Sequence, residues 1–148
     1  MPFLLISQQM LLEHEILARL SDALRTVLGL GQHGDMAHKC SSTQFLLESF
    51  ERHLERMLEQ EEQDGYMEAV EARWPQFQPQ IAVLRQEHRE FRETCTRLLH
   101  AISSTAPMNE PEIAAIFTEL LTLLQQIESH NKRETDLLQE VILQPPVE

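Results

Sequence analysis

Residues 120–141 read LLTLLQQIESHNKRETDLLQEV, and the spacing within this stretch decides the fold. Apolar side chains recur at steps of three and four: Leu120, Leu123 and Ile127, then Leu137 and Val141. That is the period of an α-helix with one buried face. Two residues inside the stripe are polar, His130 and Glu134. A spacing of four places them side by side on that face. An interior carboxylate needs a cation beside it, so Glu134 reads as a candidate ligand with His130.

Three more stripes lie upstream. They are Met10-Leu11-His14-Leu17-Leu24, Leu46-Phe50-His53-Met57 and Leu84-His88-Phe91-Cys95-Leu98-Ile102. Breakers separate them. Gly29, Gly31 and Gly34 mark a loop expected over 29–41, closed by the N-cap cluster Ser41-Ser42-Thr43. Gly65, Pro75 and Pro79 mark a second break and Ser103-Ser104-Thr105-Ala106-Pro107 a third, with Pro111 suited to a first helical turn. Four helical segments follow, over 3–28, 43–72, 79–103 and 110–143. Short connections favour antiparallel neighbours. The expectation is an all-α, up-down-up-down four-helix bundle forming one domain over residues 1–148.

Composition agrees. The 148 residues are rich in helix formers and hold only four glycines. A net charge of −12 repels nucleic acid and anionic membrane. Neither the apolar start, Met1 to Ile6, nor any other run resembles a leader or a membrane span, so a cytoplasmic protein is expected. The two cysteines form no framework: Cys95 falls on a buried face and Cys40 in the expected loop, which suits a reducing compartment.

Of seven histidines, His14, His53, His88 and His130 each occupy the stripe of a different segment, near its middle. Four buried imidazoles without partners would cost roughly 1–3 kcal/mol each, comparable in sum to a domain's stability. A shared metal removes that cost, and a polar core network is the other solution. Imidazole and carboxylate suit iron, zinc, nickel or copper, whereas magnesium and calcium prefer oxygen cages. The halves echo one another: Glu13-His14 parallels Glu87-His88, and Glu51-Arg52-His53 parallels Glu128-Ser129-His130.

Glu13-His14, His53 with Gly65-Tyr66 after it, Glu87-His88 and His130-x-x-x-Glu134 together resemble the hemerythrin-like (HHE cation-binding) family over nearly the whole chain. The resemblance implies a four-helix bundle with a di-iron centre held by histidine and bridging carboxylates. It also implies binding or sensing of O2, NO or iron, with His14, His53, His88, His130 and Glu134 as ligands. One departure stands out. The family's second-helix His-x-x-x-Glu reads His53-Leu54-Glu55-Arg56-Met57 here, so Met57 takes a carboxylate's place. Glu55, Glu59 and Glu62 are expected on the outer face. Glu61 shares the face of His53 but lies about 12 Å further along the axis, within reach only through a local distortion.

The inventory implies one or two iron ions, with zinc as the alternative. The functional readings are a metal-binding protein for a diatomic ligand, an iron-dependent peroxide or nitric oxide reductase, and a helical interaction module with a degraded site. No separate general acid or base accompanies the stripe, which favours binding over catalysis. The run His33-Gly34-Asp35-Met36-Ala37-His38-Lys39-Cys40 carries a further expectation, a surface metal site or redox thiol, against chance clustering in a loop.

Overall fold

The computed structural model describes residues 8–29 and 35–147. Among these the chain is all helical: α1 (Gln8–Leu28), α2 (Met36–Glu62), α3 (Tyr66–Arg73), α4 (Gln78–Ser104) and α5 (Glu110–Ile142), with one 3₁₀ turn at Pro75–Phe77. Four helices are long, and they match the four apolar stripes. α1 packs mainly on α2, α4 joins α2 to α5, and α1 meets α5 over a shorter stretch.

Two boundaries differ from expectation. α2 begins at Met36, not at residue 43, because Asp35 caps it: Asp35 Oδ1 accepts from the Ala37 N–H at 3.0 Å. Cys40 therefore lies in a helix and is buried, not in a polar loop. The expected segment 43–72 is also divided. The Gln63 N–H closes on Glu59 O at 2.8 Å, Asp64 adopts a left-handed φ of 55°, and Gly65 starts α3. A Cβ on Gly65 would sit 2.0 Å from Gln60 O, so close backbone approach requires glycine there. The turn reverses the chain directly after Glu61 and Glu62 and brings Tyr66 back over them.

The core has two apolar clusters. One includes Leu17, Leu58, Phe91, Leu120 and Ile127. The other includes Met10, Tyr66, Leu84, Leu137 and Val141. α1, α4 and α5 each pass from one cluster to the other across a polar layer, with His14 between Met10 and Leu17, His88 between Leu84 and Phe91, and His130 with Glu134 between Ile127 and Leu137. α2 reaches the layer from the first cluster, with Glu61 after Leu58, and α3 continues in the second. The far end is tied by Trp74 Nε1–H, which donates to Gln144 O at 2.9 Å, and by Val147 N–H, which donates to Arg73 O at 2.7 Å. No helix among the described residues is long and apolar enough to cross a membrane.

Candidate metal centre

The polar layer concentrates donors from three helices. Glu61 of α2, His88 of α4, and His130 and Glu134 of α5 are all buried, and one donor atom from each lies within 4.8 Å of every other. His88 Nε2 and His130 Nε2 stand 3.0 Å apart. Glu61 Oε1 is 3.2 Å from His88 Nε2, and Glu134 Oε1 is 3.2 Å from His130 Nε2.

The outer nitrogen of each imidazole is held by a carboxylate that is itself clamped by an arginine. His88 Nδ1 lies 2.8 Å from Glu62 Oε2, and Arg92 grips Glu62 through Nη1 at 3.0 Å and Nη2 at 2.8 Å. His130 Nδ1 lies 2.9 Å from Glu87 Oε1, and Arg133 grips Glu87 through Nη1 at 2.9 Å and Nη2 at 2.7 Å. An ionised carboxylate only accepts, so each Nδ1 carries the proton and each Nε2 turns its remaining valence inward. Glu62 and Glu87 stay ionised: burial opposes this, but Arg92 with His88, and Arg133 with His130, outweigh it and hold both below the usual carboxylate range.

Electrostatics inside the layer favour a cation. Burial, then the charge of Glu134, pushes Glu61 well above the ordinary carboxylate range. For Glu134 burial acts the same way, but His130 and Tyr66 outweigh it and hold this carboxyl low. Burial also lowers His130, yet Glu134 and Glu87 raise it overall. Glu61 Oε1 and Glu134 Oε1 are buried without a hydrogen-bond partner. Such atoms cost about 1–3 kcal/mol each unless a ligand engages them. Two inward Nε2 atoms and two orphaned oxygens therefore face one point, and a single proton bridges only two of the four.

The spacing fits a metal. Donors about 2.1 Å from one ion stand about 3.0 Å apart at right angles and about 3.4 Å apart at tetrahedral angles. Three of the six separations, 3.0, 3.2 and 3.2 Å, fall in that range, and all six lie within 4.8 Å. Two imidazoles with two carboxylates suit iron, manganese or zinc.

His88, His130 and Glu134 lie together, and Glu61 joins them from an unbroken stretch of α2. No distortion is needed, because the other donors converge at the level of Glu61 and not at that of His53. His14 flanks the cluster, with Nε2 2.9 Å from Glu61 Oε2, and burial lowers its pKa against the opposing charge of Glu134. His53 lies outside it and pairs through Nδ1 with Glu13 Oε2 at 2.8 Å. Glu62, expected on the outer face, reaches the α2–α4 seam and holds His88.

The arginine clamps went unread, although Arg92 four residues after His88 and Arg133 three after His130 are spacings that share a helix side. Tyr66, which follows Gly65, donates its hydroxyl to Glu134 Oε2. Of the run 33–40, His33 lies outside the described residues. His38 is exposed on α2, and burial raises the Cys40 thiol, which disfavours a redox role.

A cavity of about 160 Å³ adjoins the cluster, lined by His14, Glu61, Tyr66, Asn131 and Glu134 among others. Neither a curated protein nor a solved structure matches the chain. The model of the hemerythrin HHE cation-binding domain matches residues 5–142, and the chain belongs to that family.

Proposed function

We propose that this chain is a non-haem iron protein that binds a small diatomic ligand, O2 or NO, at a metal held by Glu61, His88, His130 and Glu134. The carrying observation is the pair of orphaned buried oxygens, Glu61 Oε1 and Glu134 Oε1, facing two inward imidazole nitrogens. A cation satisfies all four. Iron is favoured over zinc because two histidines with carboxylates are the ordinary donor set of oxygen-handling ferrous sites. When bound, iron supplies an open coordination position at which a diatomic ligand attaches.

The chain's own residues do the rest. Glu62 and Glu87 fix the imidazoles, and the two apolar clusters keep bulk water from the layer. The cavity beside His14, at about 160 Å³, suits small molecules and falls below the roughly 300–1,000 Å³ of larger-ligand pockets. The fold reading is one domain of four long helices running up-down-up-down. Its support is the order in which the chain visits the two clusters: α1 and α4 cross the layer into the first, α5 crosses out of it, and α2 leaves it for the layer at its C-terminal end before α3 enters the second. His14 is a flanking group and His53 a structural partner of Glu13.

The test is elemental analysis of desalted protein after anaerobic loading with ferrous ion, with an optical spectrum before and after oxygen or nitric oxide. Bound iron and new charge-transfer bands are expected. Less than a tenth of an iron per chain defeats the reading. Turnover of peroxide or nitric oxide, in place of stoichiometric binding, would move it to an enzyme.

A further inference from the structure

We infer that the centre holds one metal ion and not two, because the second ion's donors are already used by the protein and one of them is a methionine. This rests on the reading of the cluster as a metal site.

Each buried carboxylate divides its two oxygens between opposite sides. The Oε1 atoms of Glu61 and Glu134 face His88 and His130, and both lack a hydrogen-bond partner. The Oε2 atoms are satisfied: Glu61 Oε2 by His14 Nε2 at 2.9 Å, and Glu134 Oε2 by the Tyr66 hydroxyl. The oxygens without a hydrogen-bond partner therefore lie on one side alone. A second, bridged ion would have to draw the Oε2 atoms away from His14 and Tyr66 and find imidazoles of its own.

Setting the two buried carboxylates, Glu61 of α2 and Glu134 of α5, against each other shows what is missing. In α5 the carboxylate Glu134 has a histidine four residues before it, His130. In α2 the carboxylate Glu61 has Met57 four residues before it, on the same helix face and 1% exposed. Met57 thus stands in place of an imidazole, not of a carboxylate; α2 supplies its carboxylate one turn later. A thioether is a poor donor for iron beside hard oxygens. The second position is left with His14 alone, and Tyr66 occupies the carboxylate oxygen it would share.

Cobaltous ion serves as the probe, since it takes the same donors and is read without turnover. The chain is loaded with excess Co(II), desalted, and its metal counted by mass spectrometry alongside its paramagnetic resonance. One ion per chain with an uncoupled high-spin signal is expected, and Met57→Leu keeps that count. Met57→His combined with Tyr66→Phe supplies the imidazole and frees Glu134 Oε2, so the count rises to two and the signal shows coupling. Two ions in the unaltered chain overturn the inference while leaving the metal reading intact. A folded double variant that still holds one ion also overturns it. No ion in the folded, unaltered chain overturns the metal reading itself.

Discussion

Glu62 and Arg92 give the clearest residue-scale handle, because neither belongs to the four-donor cluster yet both set the direction of His88. Removing an outer partner of a metal-bound histidine costs about 10–100-fold in metal affinity. Glu62→Ala is expected to lose that much, measured by competition with a chelator of known affinity, and Arg92→Met to lose less because Glu62 remains. A loss equal to that of His88→Ala would place Glu62 on the ion. His53 offers the contrast. It pairs with Glu13 outside the cluster, so His53→Gln should leave the metal count unchanged, read by elemental analysis. His88, His130 and Glu134 were legible because periodicity puts polar residues where apolar ones belong. His53 satisfied the same rule and still fell outside, since periodicity fixes the face of a helix and not the height at which its neighbours converge. Glu61 was legible only as to face for the same reason.

Among the elements, the α2–α3 turn matters most to the site, since it returns Tyr66 over Glu61 and Glu134. Gly65→Ala drives a methyl against the carbonyl of Gln60, 2.0 Å away. A clash with backbone is not relieved by a rotamer change, and overpacking of this order costs about 1–3 kcal/mol. Urea unfolding should show that loss, and the variant should bind metal more weakly if the turn positions Tyr66. Asp35→Ala removes the cap that starts α2, with an expected cost of about 1 kcal/mol in the same assay. Both α4 and α5 were legible to within a residue, because proline marks the breaks on each side. The start of α2 was not: two cap candidates, Asp35 and Ser41-Ser42-Thr43, lie within one loop-and-helix run, and the earlier one wins by making the bond. Local sequence offers no rule for choosing between them, since the choice depends on whether residues 36–42 find a surface to pack against, as Cys40 does.

For the molecule as a whole, the polar layer is a fault in the core that the proposed cation would repair. Glu61 Oε1 and Glu134 Oε1 weaken the metal-free protein, and an ion that binds only the folded state adds RT ln(1 + [L]/Kd). At a hundredfold excess over Kd this is about 2.7 kcal/mol, which for a chain of this size raises Tm by roughly 5–10 °C. Differential scanning calorimetry with and without ferrous ion checks this, and Glu61→Gln with Glu134→Gln should abolish the increment. The bundle itself is expected to hold without the ion, because apolar clusters flank the layer and the larger takes in residues of every long helix. The central claim is that donors from α2, α4 and α5 meet on one cation, and X-ray absorption at the iron edge of the loaded, desalted protein tests it most directly. Nitrogen and oxygen neighbours alone at about 2.0–2.2 Å, with the outer scattering of two imidazoles, are predicted. A sample without an iron edge, or one whose nearest shell lacks imidazole, would contradict it.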